Sequence, residues 1–213
     1  DSLDLSHNQL IRFWAADYGI NQFFLNNNKL SQIEIDSQHF RELKILDARN
    51  NKLRIFQART NDFEILLLSN NHLTLDEYFS IRNVYGTLDL SRNDISEFEW
   101  KLISCVTNLN LAFNQLTTLQ LECPTKRFQR VERLNLDGNF LCNFDLAANI
   151  TTCLPNVKFI SLLKNRLTAG GKIKSKKAFE MLGVKSQIFE YEFFGRIDDE
   201  ANGYSDIFRK RDN

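Results

Sequence analysis

Leu3-Asp4-Leu5-Ser6-His7-Asn8-Gln9-Leu10 carries leucine at its first, third and eighth places and asparagine at its sixth. The same frame returns as Leu109-Asn110-Leu111-Ala112-Phe113-Asn114-Gln115-Leu116 and as Leu134-Asn135-Leu136-Asp137-Gly138-Asn139-Phe140-Leu141. Extended by one apolar position on its N-terminal side, the frame reads L-x-x-L-x-L-x-x-N-x-L and fits eight times. Its asparagines are Asn8, Asn28, Asn51, Asn71, Asn93, Asn114, Asn139 and Asn165, separated by 20, 23, 20, 22, 21, 25 and 26 residues. Seven steps of nearly constant length with the apolar frame intact mark an internal repeat.

Each position of the frame has a physical role. Apolar pairs two residues apart, such as Leu3/Leu5, Phe23/Leu25, Leu66/Leu68 and Ile160/Leu162, have the period of a strand with one buried face. A strand of about three residues cannot bury enough surface alone, so the repeats must stack and share one core through a parallel sheet. The asparagine stands where the chain turns inward after the strand. Buried turns leave backbone N–H and C=O groups to be paired, and an amide side chain offers two donors and an acceptor. Stacked asparagines are therefore expected to form a ladder between repeats.

A second apolar group after most asparagines, as in Leu30, Ile33 and Ile35, reads as the return side of each coil. The lengths that remain are variable and are expected on the convex side as irregular or short helical turns. Trp14, Phe40, Phe79 and Phe128 fall there and read as core packing. The first apolar position of repeat one would lie just before Asp1, so the register predicts that a cap or further repeats precede it in the full protein.

The frame resembles that of leucine-rich repeat proteins, over residues 1 to about 167. The resemblance implies an α/β fold: a curved horseshoe solenoid with short parallel strands on the concave face and irregular or short helical turns on the convex face. About eight repeats fill residues 1–167, the first truncated at its start, and residues 168–213 read as a C-terminal capping segment and polar tail. In the latter, Ser175 is expected to cap a short helix carrying Ala178, Phe179 and Leu182, with Gly183 closing it. Phe189, Tyr191 and Phe193 alternate as in a strand covering the end of the solenoid.

Asparagine-rich, phenylalanine-rich repeats with few, eccentric cysteines are similar to secreted insect immune leucine-rich repeat proteins, the mosquito LRIM/APL1 group. That resemblance implies circulation in hemolymph, pairing through disulfides and coiled coils, and binding of complement-like thioester proteins. No coiled-coil heptads occur in this chain. A Toll-like receptor or adhesion ectodomain, of which this is an excised piece, and a cytosolic adaptor or scaffold remain alternatives.

The cysteines are Cys105, Cys123, Cys142 and Cys153, whose spacings match no paired zinc-binding pattern. An even number suits two disulfides on the secretory route, and four buried thiols suit the cytosolic alternative. The run Gly138 to Phe144 resembles the opening of the cysteine-containing cap of extracellular leucine-rich repeat proteins, although Phe144 stands where that cap has its second cysteine. On that resemblance Cys142–Cys153 would staple the insert between repeats seven and eight, and Cys105–Cys123 would link adjacent coils. Asn149-Ile150-Thr151 is an N-glycosylation sequon.

Composition and motifs point away from other classes. Basic and acidic residues number 27 each, so no net field favours nucleic acid or an anionic membrane. No apolar run approaches the roughly 18 residues of a membrane span. His7, His39 and His72 have no neighbouring metal or nucleophile motif, so neither cofactor nor metal is expected and no catalytic residue is nominated. Asp4, Asp47 and Asp89 recur in one column, but every second repeat places them about 10 Å apart, too far for a shared acid–base pair.

What varies between repeats is the concave surface. Phe24, Ile45, Ile65 and Leu67 come from three consecutive repeats and are expected there as one apolar patch, with Asp47 and Asp89 among them and Arg49 and Arg92 as a charged rim. A solvated face has no structural need for such a group, so it reads as the binding site for another protein.

Overall fold

The computed structural model describes residues 1–13, 19–35, 40, 42–98, 105–119, 130–142, 150 and 153–188, without the side chains of residues 59 and 60. Among the described residues ten strands and one long helix follow in chain order: β1 (Ser2–Asp4), β2 (Gln22–Phe24), β3 (Gln32–Glu34), β4 (Ile45–Asp47), β5 (Ile55–Leu67), β6 (Phe79–Asp89), β7 (Asn108–Asn110), β8 (Arg133–Asn135), β9 (Phe159–Ser161), α1 (Ala169–Met181) and β10 (Lys185–Gln187). All strands but β3 lie side by side in sequence order, every pair parallel, and β3 joins β5 off this path. The register keeps one apolar column in line: Leu3, Phe23, Leu46, Leu66, Leu88, Leu109, Leu134 and Ile160 pair in succession. From Phe23 onward each of these is at most 1 % exposed, so the column is the spine of the core. This is the leucine-rich-repeat solenoid that the frame predicts.

Two side-chain systems hold the coils together. In the buried one, each asparagine of the frame from Asn28 onward reaches back to the preceding coil. Asn71 is typical: its Oδ1 accepts the Leu53 N–H at 3.0 Å while its Nδ2 donates to Ala48 O at 3.0 Å and to Leu68 O at 3.0 Å. Asn8 makes only bonds within its own coil, to Leu5 O and Ser6 O. The second system lies one residue earlier. His7, Asn27, Asn50, Asn70, Arg92, Phe113, Gly138 and Lys164 all have φ between 54° and 64°, because each coil turns inward through a left-handed residue. That conformation costs an L-residue with a Cβ about 1–2 kcal/mol, and asparagine tolerates it best after glycine. Asn27, Asn50 and Asn70 fit the demand and also link to one another at 2.8 Å.

The convex side differs from expectation over the middle coils. Instead of irregular or short helical turns, β5 and β6 run on as long strands: Phe56 to Ala58 pair with Phe79 to Ile81, and Asp62 and Phe63 with Asn83 and Val84, with register shifts between. Phe56 and Ala58 before the first register shift, and Asn61 and Phe63 after it, are buried at alternate places, which suits a strand with one covered face. Asn61 is buried here and donates to Phe40 O at 2.6 Å. Phe40 stacks on Phe23 with centroids 5.7 Å apart, Phe13 meets Phe23 edge-on at 5.6 Å, and Phe56 lies 5.9 Å from Phe79. Phe40 and Phe79 are therefore core residues; Trp14, His39 and Phe128 lie outside the described residues.

The helix after the last repeat starts earlier than expected. Thr168, not Ser175, is the N-cap, its Oγ1 accepting the Gly171 N–H at 3.2 Å. Gly171, Ser175 and Phe179 form one buried stripe at helical spacing. Gly171 brings no side chain into this stripe, and Ala169-Gly170-Gly171 opens the helix. Ser175 Oγ is buried without a hydrogen-bond partner among the described residues. At the other end Val184 N–H bonds to Phe179 O and Gly183 N–H to Glu180 O, a Schellman ending around Gly183 at φ 69°. The chain then enters β10, which pairs with β9 as the last strand of the sheet. Phe189, Tyr191, Phe193 and the polar tail lie outside the described residues. No described helix is long and apolar enough to cross a membrane.

Candidate functional site on the concave face

Residues alternate across a strand, so the first and third of each short strand share the concave face. The first-position row reads Gln22, Ile45, Ile65, Thr87, Asn108, and the third-position row Asp4, Phe24, Asp47, Leu67, Asp89, Asn110. Ile45 and Ile65 are thus direct neighbours, and Leu67 follows Ile65 on the same strand. Phe24 is not contiguous with Leu67: Asp47 stands between them, and Phe24 is only a diagonal neighbour of Ile45. Exposure divides the four further. Ile65 and Leu67 are 9 % and 7 % exposed, whereas Phe24 and Ile45 are half-buried. The exposed apolar surface among the four is therefore that of Phe24 and Ile45.

The carboxylates of the third-position row cap the strands. Asp4, Asp47 and Asp89 each accept, through Oδ1, the backbone N–H two residues on, from Ser6, Arg49 and Ser91 at 2.8, 3.1 and 3.0 Å. Asn110 and Asn135 do the same for Ala112 and Asp137. An Asx turn uses an oxygen that aspartate and asparagine share, which explains why the two residues interchange in this column. Environment then separates the acids. Asp4 is exposed, and its hydrogen bonds with Ser6 hold its carboxyl below the ordinary value. Asp89 is 3 % exposed, and burial pushes its carboxyl up, against the pull of Ser91, Ser69 and Arg49.

Arg49 and Arg92, expected together as a rim, are used differently. Arg49 forks onto Asp47, Nε to Oδ1 at 2.9 Å and Nη2 to Oδ2 at 2.6 Å, and these bonds raise its guanidinium above the usual range. Asp47 itself stands between Phe24 and Leu67 in the sheet. Arg92 leaves the concave face altogether. Its left-handed backbone carries it to the flank, where its guanidinium lies 4.5 Å from the centroid of the Phe113 ring. Sequence reasoning passed over this flank, although the residue before each ladder asparagine, Arg92, Phe113 and Lys164 included, was a legible signal.

The cysteine pairing expected from the cap-like run is corrected. Cys153, 7 % exposed within the core, is disulfide-bonded, but Cys142 is not its partner and remains an exposed free thiol. Leu141 explains why: its N–H is held by Asn165 Oδ1 and its side chain is buried, so the next residue faces out. Cys105 also keeps its thiol, so the Cys105–Cys123 link is absent; Cys123 and Asn149 lie outside the described residues. Among the described residues no cluster of His, Cys, Asp and Glu is arranged to hold a metal ion.

No family model matches the chain. Among solved structures it is similar to the APL1 leucine-rich repeat domain, with TM-score 0.48 and 18 % identity, over 69 % of this chain and 44 % of that one. It is also similar to the functional domain of InlJ from Listeria monocytogenes, which includes a cysteine ladder, with TM-score 0.44 and 21 % identity, over 70 % of this chain and 36 % of that one. The match spans less than half the length of either structure.

Proposed function

We propose that this chain is a non-catalytic protein-binding module that recognises another protein, an immune or complement-like factor, through the concave face of its sheet. The observation that carries the reading is the pairing of half-buried Phe24 and Ile45 beside the Arg49–Asp47 fork. An aromatic anchor next to an arginine is the composition of protein-interface hot spots, and the solenoid gains nothing from displaying apolar side chains there. Catalysis lacks equivalent support, since the concave carboxylates are engaged as strand caps. The disulfide at Cys153 supports an extracellular setting, because such bonds persist in oxidising compartments.

The test is a pull-down from extracellular fluid with wild type and with a Phe24→Ser/Ile45→Ser variant. These positions are only half-buried, so the variant should keep its thermal midpoint within a few degrees. A partner held by wild type and lost by the variant supports the reading. Identical recovery with both proteins refutes it.

A further inference from the structure

The left-handed column is filled in two ways along the solenoid. Asn27, Asn50 and Asn70 occupy it with the residue its backbone tolerates best after glycine. Further along, Arg92, Phe113 and Lys164 hold the same conformation with long or bulky side chains, for which φ above zero is a backbone outlier. Strain retained where a simpler residue would serve points to a use for the side chains.

Those side chains assemble one surface. The Phe113 ring, 37 % exposed, lies over Gly138 of the next coil, where an added Cβ would collide with it. Arg92 stands 4.5 Å and Lys164 5.8 Å from its centroid. One column over, Arg166 lies 4.3 Å from the centroid of Phe140, itself 38 % exposed. Arg92, Lys164 and Arg166 enter no ion pair among the described residues. The nearby acids are committed elsewhere. Asp94 is engaged by His72 and Gln115, and Asp137, in whose field Lys164 lies, accepts Ser161 Oγ at 2.6 Å and Leu163 N–H at 2.8 Å.

We propose that this flank is a second docking surface, distinct from the concave face, that takes an acidic polypeptide segment carrying apolar side chains. Three cations that form no ion pair among the described residues call for negative charge, and two exposed rings beside arginines supply apolar anchors of the kind protein interfaces use. A guanidinium lies against each ring, which leaves less ring face for a sugar to stack on and favours a peptide over an anionic glycan. At ~4.8 Å per coil the backbones of Arg92 and Lys164 are about 14 Å apart, but their charged ends meet over the one Phe113 ring, within the reach of roughly three extended residues.

The test measures anisotropy of a fluorescein-labelled peptide of alternating glutamate and leucine. A lysine-for-glutamate copy and a heparin hexasaccharide serve as the other probes. Wild type is expected to bind the glutamate peptide alone, more weakly as salt rises. The Arg92→Asn/Phe113→Asn/Lys164→Asn variant should lose roughly tenfold or more in affinity, with a thermal midpoint equal to wild type or higher, because asparagine relieves the backbone. Arg166→Gln, which touches no strained residue, should weaken the peptide independently. Phe24→Ser/Ile45→Ser should bind it unchanged, which separates this surface from the concave one. Equal affinity of wild type and the flank variants, preference for the hexasaccharide, or a lowered midpoint in the asparagine variant each overturns the proposal.

Discussion

Arg49 holds Asp47 in a two-pronged grip, 2.9 and 2.6 Å, on a concave face where the carboxylate is 6 % and the guanidinium 37 % exposed. The acid is the buried partner, so removing the base strands it. Arg49→Ala should destabilise the fold by about 1–2 kcal/mol, less than a fully buried pair because solvent reaches the arginine. Denaturant unfolding checks this, and a change near zero would mean that water replaces the guanidinium at no cost.

The ladder asparagines should differ sharply in worth. Asn71→Ala leaves the Leu53 N–H without its acceptor in the core, whereas Ala48 O and Leu68 O keep the amides of Asn51 and Asn93. With one stranded donor at about 1–3 kcal/mol and two shared bonds lost besides, a loss of about 2–3 kcal/mol is expected. Asn8 is exposed and bonds only within its coil, so Asn8→Ala should lower stability by about 0.5–1 kcal/mol. Comparable losses at the two sites in urea melts would contradict the cross-coil account.

Asp89 sets a pH dependence whose sign follows from burial. Its carboxyl is pushed above the ordinary 3.8 in the folded chain, so the folded state holds the proton after the unfolded state has released it. Stability from this group therefore falls as pH rises from 3.8 through the folded value, then levels off. Asp137 adds to the slope in the same direction. Asp89→Asn keeps the oxygen that Ser91 N–H needs, as Asn110 does for Ala112. It should therefore raise the thermal midpoint at pH 7 more than at pH 4. A lowered midpoint at pH 7 would show that the charge itself is favourable beside Arg49.

The thiols should separate by accessibility. In the native protein without reductant, iodoacetamide should alkylate Cys142 and leave Cys153 in a disulfide-linked peptide. Cys142→Ser should leave the thermal midpoint unchanged. Recovery of a Cys142–Cys153 peptide would overturn the assignment.

Local pattern was a good guide where one residue type answers one backbone demand. Leucine at alternate places and asparagine at the inward turn recur because every coil must bury the same spine and pair the same turn groups, so the strands and the ladder positions were readable in the letters. The pattern misled where burial depends on a neighbour. Ser175 looked like a helix cap, yet it is buried in the middle of α1 and Thr168 caps the helix. The convex side of the middle coils looked irregular because nothing in one coil announces that the next will pair with it.

The sequence by itself determined the coil: its length, its apolar spine, the asparagine ladder and the parallel order of the strands. All of these follow from contacts that repeat every 20 to 26 residues. Tertiary structure alone decided which residues a partner can reach. It buried Ile65 and Leu67, left Phe24 and Ile45 half open, turned Arg49 onto Asp47 and carried Arg92 to the flank beside Phe113. The reason is geometric. The repeat specifies the direction in which each side chain leaves the coil, whereas exposure and pairing depend on the side chains that stacking places one coil away.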